Sequence, residues 1–240
     1  MKLNTSFRTS FAQRSAIRDP VGRSVSASGK SHWVPAFAGM TFLLLLSTST
    51  VYAVDAPETL LHNCLKKADD LPDVAVAEAE VWLKHGGGPD ARLCRAVAQF
   101  NRNEFASAAA DFALVAKSRS GDPSRAARLH GQAGLAYTRA GDNKKAEDEY
   151  GIALKLEPQD PDIWIDRAVE RASSEHYWDA VADLNQALAI MPDTVEALKI
   201  RGQVWMKLGM KNDAEEDFEK AAEIEAQDTA HDTPAASDKQ

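Results

Sequence analysis

The chain has 240 residues, 28 of them Lys or Arg and 36 Asp or Glu, for a net charge of −8. At 44% hydrophobic and 27% charged it has the composition of a soluble protein able to bury a core, and its length suits one domain plus tails. Residues 1–30 carry six basic residues (Lys2, Arg8, Arg14, Arg18, Arg23 and Lys30) and one acid, Asp19; setting these aside leaves 22 basic against 35 acidic, or −13. An acidic body repels phosphates, which excludes nucleic acid as a natural partner.

Residues 31–54 contain no Asp, Glu, Lys or Arg, and their centre is Phe42-Leu43-Leu44-Leu45-Leu46 followed by Ser47-Thr48-Ser49-Thr50. Val51-Tyr52-Ala53 then places small residues where a signal peptidase reads, so residues 1–53 are expected to be an export segment cleaved after Ala53. An uncleaved anchor is the alternative, although Pro35, Gly39 and the Ser/Thr run dilute a span that needs about 20 apolar residues. The basic region is long for a signal. Residues 33–41 (WVPAFAGMT) look like a peptide that recurs in translated interspersed repeats of bacterial genomes, which would put the true start at Met40 and make residues 1–39 an annotation artefact. The Arg- and Ser-rich, acid-poor beginning also resembles an organellar transit peptide. A lipid-attachment site is excluded at Cys64, which His62-Asn63 precede in place of small residues.

Helices are expected over residues 58–67, with Leu60, Leu61 and Cys64 inward, and 73–84, opened by Pro72 and stopped by Gly86-Gly87-Gly88-Pro89. A second pair covers 91–101 (Leu93, Cys94, Val97 and Phe100 inward) and 104–117, where Ala108 and Phe112 have the spacing of Ala146 and Tyr150. The interval from Ala108 to Ala146 is 38, and the loop 118–123 is expected to absorb the four residues beyond the period that follows.

From residue 127 the pattern is regular. A shift of 34 carries Ala146 to Ala180 and Ala214, Tyr150 to Leu184 and Phe218, Ala153 to Ala187 and Ala221, and Gly134 to Ala168 and Gly202. Pro158 maps to Pro192 and then, losing the proline, to Ala226. Glycine in mid-helix costs about 1 kcal/mol against alanine, so its recurrence at one register argues for close backbone approach. Gly141 and Gly209 suit the turn between paired helices; the middle unit departs, with Arg171 at the Tyr137 position and Glu175 at the Gly141 position. A period of 34 with these residues is the signature of a helix-turn-helix solenoid.

At these residues the sequence resembles the tetratricopeptide repeat (TPR) family. The resemblance implies an all-α fold, a right-handed α-α superhelix of about five helix pairs: two degenerate pairs over 57–123 and three regular repeats over 127–226 (127–160, 161–194 and 195–228). Ala222 replaces Leu154 and Leu188, and Glu215, Glu216, Glu219, Lys220 and Glu223 make the last helix polar, as an end cap requires. Residues 227–240 read as a disordered tail.

In that architecture Cys64 and Cys94 fall in the first helices of successive pairs, side by side. A disulfide suits an exported protein with two cysteines; two buried thiols are the other reading. Metal ligation by His62, Cys64, His85 and Cys94 matches no zinc spacing, and Cys64 with His85 or Cys94 with His130 has no nucleophile motif around it. No cofactor and no enzyme activity are expected, and the carboxylates read as solvated helix faces with no acid-base pair to single out.

The family resemblance places a protein or peptide partner against the first helix of each pair. The matching positions are Arg128, Gly131, Leu135 and Thr138; Asp162, Ile165, Val169 and Ala172; and Glu196, Lys199, Gln203 and Met206. These do not reproduce the Lys/Asn/Arg carboxylate clamp of some relatives, so an extended or helical peptide with an apolar stripe is the expected ligand. The function read from the sequence is a non-catalytic scaffold for protein-protein interaction in the periplasm or cell envelope; the alternative is a membrane-anchored accessory subunit of an envelope complex.

Overall fold

The structure, a computed structural model, describes residues 57–231. The expectations placed on residues 1–56 and 232–240, including the cleavage site and the start at Met40, lie outside the described residues.

Among the described residues ten α-helices follow one another: α1 (Pro57–Asp70), α2 (Pro72–Lys84), α3 (Gly88–Asn101), α4 (Phe105–Ser118), α5 (Pro123–Ala140), α6 (Asn143–Leu156), α7 (Pro161–Ser173), α8 (Tyr177–Ile190), α9 (Val195–Leu208) and α10 (Lys211–His231). None is long and apolar enough to cross a membrane. Asp122 and Asp160 open α5 and α7, each with a proline in the first turn, their Oδ1 atoms accepting from the N–H groups of Arg125 and Asp162 at 3.0 Å. Such caps satisfy backbone donors that a helix start leaves unpaired.

Successive helices pack on each other, and α1 meets α3, α5 meets α7 and α7 meets α9 across the stack. The small residues sit where the period predicts. A Cβ on Gly134 would lie 2.9 Å from the Tyr150 ring, and one on Gly202 2.7 Å from the Phe218 ring, so each glycine is the floor on which an aromatic from the second helix rests. Gly141 (φ 79°) and Gly209 (φ 80°) make left-handed turns between paired helices. The middle pair keeps the same turn without glycine: Glu175 takes φ 65°.

Two boundaries differ from the sequence expectation. The four residues in excess of the period are not absorbed by the loop before residue 123; they add a helical turn to the start of α5, which has 18 residues against 13 in α7 and 14 in α9. With Pro123 fixing φ and Asp122 capping, the added turn is a favourable helix start. The last helix continues to His231, so the first residues expected in the tail are helical.

Candidate partner-binding face

Three of the five helix pairs are joined internally by an Arg–Asp bridge. Arg95 meets Asp111, Arg167 meets Asp183 and Arg201 meets Asp217, always sixteen residues apart, at 2.6–3.0 Å. The three aspartates are buried, which corrects the reading of the carboxylates as solvated faces. A buried carboxylate is tolerated when donors surround it, and the planar guanidinium meets both oxygens at once. In the α5–α6 pair Ala133 and Glu149 occupy those places, and Glu149 turns to His130 instead, Oε2 to Nδ1 2.6 Å. The sequence carries the signal: a shift of 34 maps Arg167 to Arg201 and Asp183 to Asp217.

At the junction of α6, α7 and α8 the network widens. Arg171, in the place of Tyr137, donates to Asp183 at 2.8 Å and through Nη2 to Glu147. That guanidinium holds the Glu147 carboxyl below its ordinary range. Glu170, in the core position that Ala136 and Val204 fill in neighbouring pairs, is 2% exposed. Its Oε1 accepts from Ser174 at 2.9 Å, whereas Oε2 is buried without a hydrogen bond, and burial pushes this carboxyl above its ordinary range. Burial likewise raises the Tyr150 phenol well above its usual value.

The expected groove residues divide into three groups. Leu135, Ile165 and Val169 are buried, Ile165 at 0%, and belong to the core; so do Gly131 and Ala172. These positions lie on the packed sides of α5 and α7 and are not open to a partner. Arg128, Thr138, Asp162, Glu196 and Lys199 are half-buried; Thr138 donates to the Gly134 carbonyl at 3.0 Å and Lys199 pairs with Glu225 at 2.5 Å. Only Gln203 and Met206 are exposed, Met206 at 50%. The partner-binding positions expected along all three repeats are therefore reduced to an accessible patch on α9. The sequence reading missed Trp178, 62% exposed at the start of α8, which meets Trp205 of α9 edge to face with ring centroids 5.9 Å apart.

Cys64 on α1 and Cys94 on α3 are joined as a disulfide with Cα atoms 5.9 Å apart. Both sulfurs being engaged, neither is a thiolate for a metal or a nucleophile beside His85 or His130.

No protein-family model matches the chain, and no curated protein matches it in sequence. Solved structures do. A crystal structure of MamA aligns with TM-score 0.62 at 17% identity, covering 73% of this chain and 98% of that one. A structure of MamA from residue 41 to its end, from Desulfovibrio magneticus RS-1, aligns with TM-score 0.61 at 17% identity over 71% of this chain and 94% of that one. At such identities the likeness is one of fold: over its described residues the chain is all-α, a right-handed α-α superhelix of five helix pairs, as the 34-residue period implies.

Proposed function

We propose that this chain is a non-catalytic scaffold that binds a protein partner in the periplasm or cell envelope, using the face of α9 around Gln203 and Met206 with Glu196 and Lys199 beside them. The observation that carries this reading is the accessible, mixed polar and apolar patch on a first helix, the kind of face that takes peptide segments in grooves. Export is supported by the uncharged stretch 31–54 and by the Cys64–Cys94 bridge, since disulfides persist in oxidising compartments. The uncharged stretch also favours the second reading, an accessory subunit held at the membrane by an uncleaved N-terminus. The mass of the protein recovered from an envelope fraction separates the two.

The test is affinity capture from an envelope extract with wild type and with Gln203→Glu plus Met206→Glu. Both sites are exposed, so the variant folds; a partner retained by wild type and lost by the variant is the expected result. Partners indifferent to these changes remove the assignment.

A further inference from the structure

We propose that the tryptophan pair formed by exposed Trp178 and half-buried Trp205 seats a cationic side chain, arginine or lysine, of the protein partner. The inference rests on the scaffold reading above and adds to it the charge of the bound segment and the place where that charge lands.

Four half-buried rings elsewhere in the array already have a cation over them. Phe100 and Phe105 meet edge to face at 5.2 Å, and Arg139, from the following helix pair, lies over both at 5.8 and 5.9 Å. Tyr137 has Lys145 at 5.2 Å, and Trp164 has Arg167 at 5.0 Å. A ring face is the negative end of the aromatic quadrupole, and a cation within about 6 Å of its centroid is attracted to it. The Trp178–Trp205 pair repeats the geometry of Phe100–Phe105, with centroids at 5.9 Å and planes at 77° against 71°. Among the described residues no cation lies over either indole; Lys207, which holds Arg139's place in the repeat, is exposed and is not over these rings. Indole is the strongest cation acceptor of the three ring types, and here it is the most exposed large apolar side chain described.

Charge supports the same occupant. The described residues hold 21 basic and 32 acidic side chains, a balance of −11, so a cationic segment is drawn toward the array and an acidic one repelled. Trp178 is the second residue of α8 and Trp205 lies in the last turn of α9, so the pair sits at the turn end of these helices. Trp205 is about 100° of helical turn from Met206, so a bound segment would reach the indoles by passing from the Gln203–Met206 face toward α8.

The test uses the full chain and defined probes: hexa-arginine, hexa-lysine and hexa-glutamate peptides, followed through the indole N–H resonances of the tryptophans. Hexa-arginine and hexa-lysine are expected to shift Trp178 and Trp205 while leaving Trp82 and Trp164 in place, and hexa-glutamate to shift none. Trp178→Ala is expected to weaken hexa-arginine binding by roughly two- to five-fold, the effect of one exposed cation–π contact, and Trp178→Phe to retain much of it. Unchanged affinity in Trp178→Ala, or equal shifts at all tryptophans, overturns the proposal in favour of diffuse attraction to an acidic surface. Concentration-dependent shifts of Trp178 without peptide overturn it in favour of a second copy of the chain. A partner captured through Gln203 and Met206 while hexa-arginine ignores Trp178 leaves the scaffold reading standing and removes this one. The reverse pattern removes the α9 patch and keeps the cation seat.

Discussion

Replacing Glu170 by valine is expected to stabilise the protein, and more so as pH rises. The side chain is 2% exposed, its Oε2 has no hydrogen bond, and valine already fills the same position at Val204. A buried acceptor left unpaired costs about 1–3 kcal/mol, and the lost bond from Ser174 gives back roughly 1, so the net gain is about 1 kcal/mol where the carboxyl is ionised. For a protein of this size that raises the midpoint by about 2–4 °C. Burial raises the folded-state affinity of Glu170 for its proton. Its protonated form therefore contributes stability that is fully present below the unfolded-state value, about 4.3, and is lost as pH rises through the folded-state value. Thermal unfolding followed by circular dichroism should show wild type and variant closest near pH 4 and furthest apart near pH 8, with Glu170→Gln between them. A gain equal at both pH values would assign the effect to packing alone, and a destabilised variant at the higher pH would refute the reasoning.

Glu175→Gly should stabilise by about 0.5–1 kcal/mol, because the left-handed conformation that Glu175 adopts costs a side chain about 1–2 kcal/mol and glycine repays part of that in chain entropy; chemical denaturation midpoints measure it. Reduction of the Cys64–Cys94 bridge, which spans 30 residues, should lower stability by about 3–4 kcal/mol; alkylation before and after reductant, read by mass spectrometry, verifies the bridge, and free thiols in unreduced protein would refute it. Leu184→Ala should cost about 3 kcal/mol and Phe218→Ala about half of that, since Leu184 is fully buried whereas Phe218 is 37% exposed; equal losses in paired melts would show the end of the array to be as well packed as its middle.

The repeat was legible because each packing site is local to a pair and recurs. Gly134 with Tyr150 and Gly202 with Phe218 are the same contact twice, and a period exposes them without knowledge of the fold. The left-handed turn at Glu175 was legible as a departure but not as a conserved shape, since backbone geometry persists where the preferred residue does not. The groove was misread at Leu135, Ile165 and Val169 because their burial depends on packing against neighbouring helices, which helical spacing within one pair does not encode. The Arg–Asp pairs went unseen for a different reason: charged side chains were assigned to solvent by type, whereas their sixteen-residue spacing repeats as faithfully as the glycines. Trp178 has no equivalent aromatic in the neighbouring repeats, where Lys144 and Asn212 stand, so a method that reads repetition passes over it.

The bridge between α1 and α3 gives the stack a direction. In a solenoid each pair is held chiefly by its neighbours, so melting begins at an end and travels inward. One end here is cross-linked covalently; at the other, Phe218 rests on Gly202 with no further pair among the described residues to cover it. Heat, tension or a protease is therefore expected to open the array from α10 toward α1, with the exposed α9 patch beside the end that opens first.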